Sequence, residues 1–149
     1  MTGNIGDQKF EFLYHIADAK FKAYGKTLKE AYENAATAMF NVMIDTSGLS
    51  MSESRDVEVR SPDIQGLLVE WLSELLYLFE VDGIIFSEFK INSIEKEEDG
   101  FLLKGKASGE PIDLLRHHFD TQVKAVTFHD LEVECDKTGR FCVQIVVDT

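Results

Sequence analysis

The chain has 149 residues, 44% of them hydrophobic and 11% aromatic, which is enough apolar surface for one core and excludes a disordered chain despite the 28% of charged residues. Its formal net charge of −12, from 27 acids against 15 bases, disfavours direct contact with an RNA or DNA backbone, because phosphate contacts need clustered Lys and Arg. Such a charge suits solubility, a bound cation or a basic partner.

Residues 1–9 read as a flexible leader to one domain spanning 1–149. "FKAYG" (21–25) reads as a short strand closed by Gly25. Thr27 and Glu30 then form a capping box, with the Thr27 hydroxyl taking backbone N–H groups and Glu30 reaching back to the cap. Ala31, Ala35, Met39 and Val42 follow at helical spacing, widened by Leu28, Tyr32 and Met43, and the helix is expected to end near Asp45. "RDVEVR" (55–60) alternates Val57 and Val59 with charges, as a half-exposed strand does.

Ser61 as cap and Pro62 in the first turn open a second helix, whose stripe is Leu68, Trp71, Leu72, Leu75, Leu78 and Phe79; Asp82-Gly83 ends it. "IIFSEFKINSI" (84–94) and "FLLKGKA" (101–107) form a hairpin through "EEDG". "KAVTFHDLEVEC" (124–135) and "FCVQIVVD" (141–148) form another around "DKTGR". Between the hairpins, "SGEPIDLLRHHFDTQV" has no clean period and is a candidate functional loop. The simplest packing is α+β, with the helices on one face of a mostly antiparallel (mixed) sheet.

Cys135 and Cys142 flank the second turn without zinc-ligand spacing, so they read as reduced packing residues of a cytoplasmic protein. "MTGNIGDQKF" lacks the apolar core of a signal peptide, and no apolar run approaches a membrane span.

Chemistry-bearing residues are few. His15 and Asp18 stand close together beside the first strand. The strand 124–135 carries a phase slip: Val126 and Phe128 share one parity, Leu131, Val133 and Cys135 the other. Either a bulge near His129-Asp130 brings both sets to one side, or the strand is buried on both faces. On the last strand Asp148 points away from the apolar face of Phe141, Val143, Ile145 and Val147, and Thr149 adds main-chain oxygens beside it. Two Asp side chains with main-chain oxygens would make a hard-cation site, although sequence does not place Asp18 near Asp148. Glu70 and Glu74 are an i,i+4 pair, which is more often a solvated face than an acid–base or metal pair. His117-His118 lies in the irregular loop, where adjacent histidines point differently. No Gly-rich phosphate loop or Ser/His/Asp pattern stands out, which weighs against a stand-alone hydrolase or nucleotide enzyme.

Six segments taken together resemble the archease family: "HIAD" (15–18), "YGKTLKEAYENAA" (24–36), "LLVEWLSELLYLFE" (67–80), "GEPID" (109–113), "KAVTFHDLEV" (124–133) and "VVD" (146–148). The chain departs from the family's usual residues at Ile16, where Thr is common, and at Phe128, where Tyr is common. The resemblance implies an accessory protein rather than an enzyme. Its expected partner is the RtcB-type RNA ligase of tRNA splicing and RNA repair, whose guanylylation and multiple turnover it would promote. It further implies a divalent metal held by Asp18, Asp148 and a Thr149 backbone oxygen, with Lys124, His129 and Asp130 in an activating motif beside it. Oxygen donors favour calcium, and also admit magnesium or manganese; a nearby His tilts toward zinc.

Two readings compete. A metal-dependent phosphoester hydrolase would use Asp18, Glu74 and Asp148. A chaperone-like module would need an exposed apolar groove, and the sequence offers no loop that reads as apolar and exposed.

Overall fold

The computed structural model of the protein describes residues 8–13 and 18–149. The beginning of the leader, His15 and Ile16 lie outside them.

Strands β1 (Phe10–Leu13) and β2 (Asp18–Gly25) pair antiparallel and lead into helix α1 (Leu28–Met43). β1 falls in a stretch assigned no element from sequence, and β2 begins three residues before the expected Phe21 because its ladder with the last strand runs the full length. Thr27 caps α1 through Glu30 N–H (3.1 Å), while the Glu30 carboxylate accepts from Lys26 N–H (2.8 Å), one residue ahead of the position a capping box specifies.

Strand β3 (Glu53–Ser61) leads to helix α2 (Ile64–Asp82). The cap of α2 is Asp63, whose carboxylate accepts from Gly66 N–H at 2.6 Å, and not Ser61. Ser61 is committed to the ladder opposite Phe101, so the chain cannot turn helical until after Pro62. Gly83 ends α2 in the left-handed region (φ 65°), donating its N–H to the Phe79 carbonyl at 3.1 Å.

Strands β4 (Ile84–Glu97) and β5 (Gly100–Pro111) form the long hairpin, turning through Glu98-Asp99. β4 carries irregularities at Ser87 and Asn92. The first explains how Phe86 and Phe89, three apart, both reach the core. Short strands β6 (Ala125–Val126) and β7 (Glu132–Cys135) both pair with β8 (Phe141–Asp148). The continuous strand expected over 124–135 is thus divided: residues 127–131 stand opposite only Ile145 and Val146. The phase slip marks an excursion larger than a one-residue bulge. It brings part of each apolar set to one side: Val126, Leu131 and Val133 pack against the core, whereas Phe128 and Cys135 are left exposed.

The fold is α+β. Every strand pairing among the described residues is antiparallel, so no mixed sheet forms there, and the strands divide into two sheets. One is five-stranded, in the order β1-β2-β8-β6 with β7 also on β8; the other is three-stranded, β3-β5-β4. Each helix touches both sheets, α1 against β2, β8 and β4, and α2 against β3, β5, β6 and β7. That explains why α1 buries more than one stripe, with Ala36, Ala38 and Phe40 as fully covered as Ala31, Ala35 and Met39. Trp71 of α2 is fully buried and its indole N–H donates to the Tyr32 carbonyl of α1 at 3.0 Å. The Tyr32 hydroxyl in turn donates to the Ile64 carbonyl, and burial pushes the pKa of that phenol well above its ordinary value, so it stays protonated. Among the described residues no helix is long and apolar enough to cross a membrane.

Candidate functional site

The β2–β8 ladder places Asp18 directly opposite Asp148. Directly opposed residues of an antiparallel pair project from the same face with their Cβ atoms about 4.5–5.5 Å apart. The other face carries Phe21, Ala23, Val143, Ile145 and Val147, all fully buried, so hydrophobic burial fixes the register that pairs the two carboxylates. On the far side of β8, Ala125 stands opposite Asp148, and Lys124 N–H donates to the Asp148 carbonyl at 2.7 Å. Thr149 follows directly. Asp18, Asp148, Thr149 and the Lys124 backbone, far apart in sequence, therefore meet at one end of the five-stranded sheet.

The excursion 127–131 folds over the same outer face of β8. Thr127 donates both its N–H (3.1 Å) and its hydroxyl (2.8 Å) to the Val146 carbonyl. The Gln144 amide donates to the Asp130 carbonyl at 2.9 Å. This cover leaves Val146 and Gln144 buried on a face that the strand pattern marks as outer. Asp130 adopts φ 52°, the one positive φ among the described non-glycine residues. Its carboxylate lies 3.5 Å from Lys20 Nζ and 3.4 Å from His129 Nε2. Lys20 shares the face of Asp18, two positions along β2, so the excursion and the acidic pair belong to one surface. Lys20 was not singled out from sequence; its i+2 spacing from Asp18 was the available signal. Glu74 lies half-buried on α2, an element outside the Asp18–Asp148 ladder.

Two carboxylates and a backbone oxygen are hard donors, suited to calcium, magnesium or manganese rather than to zinc. No three His, Cys, Asp or Glu residues converge to hold a metal among the described residues. A cation at the pair would therefore take part of its coordination from water or from a partner, since calcium takes about 6–8 oxygens.

A second polar centre lies in the loop after β5. Glu110 is buried, and its carboxylate accepts from Ser50 N–H (2.7 Å), Arg116 Nη2 (2.7 Å) and His117 Nε2 (2.8 Å). His117 is also buried, and its Nδ1 accepts from Asp113 N–H at 2.8 Å, which assigns the proton to Nε2. The Ser50 N–H, with the His117 and Arg116 donors behind it, holds the Glu110 carboxyl down at about 2, against an ordinary 4.5. A folded value below the unfolded one means stability that is complete above about pH 4.5 and is lost as pH falls toward 2. Glu110→Gln is expected to be less stable than the parent at neutral pH, and the gap in urea midpoint should close across that window. A gap independent of pH would show that the Glu110 charge contributes nothing.

The Archease protein family (MTH1598/TM1083) matches residues 10–149. The chain belongs to the archease family. A protein archease of Methanosarcina acetivorans is 52% identical over 141 residues, covering 95% of this chain and 96% of that one. The archease of Thermococcus gammatolerans is 40% identical, covering 95% of this chain and 99% of its own. A solution structure of Methanobacterium thermoautotrophicum protein 1598 superposes with a TM-score of 0.84 at 45% identity, covering 95% of this chain and 99% of that one. Of the two departures from usual archease residues, Ile16 lies outside the described residues, and Phe128 is exposed at the tip of the excursion.

Proposed function

We propose that this archease is a non-catalytic activator of an RtcB-type RNA ligase, acting in the cytoplasm on tRNA splicing and RNA repair by promoting ligase guanylylation and turnover. The observation that carries the reading is the pairing of Asp18 with Asp148 across the β2–β8 ladder, with Lys124 bonded through its backbone to the same Asp148. Family membership supports the accessory role, and the net charge of −12 supports action on a basic RNA-binding protein rather than on RNA.

Asp18, Asp148 and a Thr149 oxygen would hold a divalent cation, calcium foremost, which would supply positive charge for nucleotide phosphates. Lys124 is exposed beside them and offers a second positive charge to those phosphates. Asp130, positioned by Gln144 and paired with Lys20 and His129, shapes the acidic surface next to the pair.

The test is single-turnover guanylylation of the purified ligase with and without this protein. Stimulation is expected, and Lys124→Ala should reduce the stimulated rate by about tenfold, the scale of one charge-assisted contact. No stimulation by the wild-type chain rejects the reading.

A further inference from the structure

Leu114 and Leu115 stand in the loop after β5 with 75% and 93% of their surface exposed, an apolar loop that residue patterning does not reveal. Adjacent leucines left in water are a cost without a partner, and here they are held in place. The Glu110 centre fixes the loop from below through Ser50, Arg116 and His117. Leu115 N–H donates to the Asp113 carboxylate (3.0 Å), and the Arg116 and His117 N–H groups donate to the Asp113 carbonyl (2.9 and 2.8 Å). Beside the leucines lies an apolar groove of ≈ 550 Å³ lined by Met43, Phe79, Ile112, Leu114 and Phe119.

This feature sits at the end of the molecule that carries the acidic pair. The last turn of α1 borders both: Met43 lines the apolar groove, while Asn41 and Val42 line a hollow with Asp18 and Lys20. Asp120 N–H donates to the Met43 carbonyl at 2.7 Å, and the same loop continues to Lys124 and its bond to Asp148.

We infer that the Leu114-Leu115 prong and its groove are a docking surface for the basic protein partner, separate from the residues that act on its chemistry. The inference rests on the ligase reading above. Charge complementarity selects the occupant: Asp120 is bonded to Met43 at the groove and Asp18 and Asp148 pair beyond it, with Lys20, Lys124 and Arg116 among them, and the chain as a whole carries a net charge of −12, so a second copy would bring two strongly acidic proteins together. A partner with a basic rim and an apolar centre fits both, its apolar side chain filling the groove while the leucines enter its own surface.

The experiment titrates wild type and the Leu114→Ser/Leu115→Ser double variant into the guanylylation assay, with thermal melts to show that the variant is folded. The half-saturating concentration is expected to rise at least tenfold while the stimulation at saturation is retained. Asp148→Ala should still compete with wild type, whereas the double variant should not. An unchanged half-saturation, or a lost maximum with unchanged half-saturation, overturns the docking role alone. So does a leucine-dependent dimer in sedimentation, or leucine-dependent suppression of aggregation of unrelated unfolded proteins, each of which assigns the surface to another occupant. A wild type that stimulates no ligase overturns the functional reading and the docking with it.

Discussion

Asp148→Ala is expected to fold like the parent and to leave ligase guanylylation at its unstimulated rate. The side chain is exposed at the last position of β8, and the bond it shares with Lys124 uses the backbone carbonyl, which alanine keeps. The cost to stability should therefore stay within about 0.5 kcal/mol, as for surface substitutions away from caps and cores. What alanine removes is one of two opposed carboxylates, and with it the hard-donor pair that the ladder assembles. Stimulation should fall by about two orders of magnitude, the upper end of effects seen when ligands around a metal are disturbed. Guanylylation rates read beside thermal melts separate the two effects. Wild-type stimulation by a folded Asp148→Ala removes Asp148 from the site.

Phe40→Ala should have the largest effect on stability, about 3–5 kcal/mol, the usual range for a buried aromatic truncated to alanine. Phe40 is fully buried on α1 at the point where the helix meets β4 and α2. Its ring packs edge-on against Phe79 (5.9 Å between centroids) and Phe86 (5.8 Å), and tilted against Phe89 (5.6 Å). Alanine would leave a cavity among three rings, two held by the bulged β4 strand and one by α2, so collapse around it is restricted. Domains of this size are stable by about 5–15 kcal/mol, so the urea midpoint should drop by a large fraction with an unchanged slope. A loss under about 1 kcal/mol would show that the aromatic cluster can repack freely.

Phe40 also shows where the sequence was legible and where it was not. The helical stripe of α1 was readable because Ala31, Ala35 and Met39 recur at 3.6-residue spacing. Phe40 lies beside that stripe and is buried only because α1 contacts two sheets, a tertiary fact without a local signal. The division into two sheets was hidden for the same reason: alternation shows that a strand has two faces, not which sheet it joins. The cap of α2 went to Asp63 instead of Ser61 because the β3–β5 ladder claims Ser61, and ladder length depends on a distant strand.

The candidate site divides similarly. Asp18 and Asp148 could be singled out individually, but their meeting depends on strand register, which buried Phe21, Ile145 and Val147 set. The phase slip at 124–135 pointed to the excursion that carries His129 and Asp130, though not to its length or to Gln144 as its support. Glu110 and the exposed leucines were not legible, because a buried carboxylate and an apolar loop tip both contradict composition-based expectation and are reconciled only by their contacts.

The most direct test of the central claim is a double-mutant cycle on single-turnover ligase guanylylation, using Asp18→Ala, Asp148→Ala and the two combined. If the carboxylates act as one cation-holding pair, either single change should abolish nearly all stimulation and the combination should add nothing further. Partial losses that add in free energy, from folded proteins, would show two independent surface charges and contradict the account.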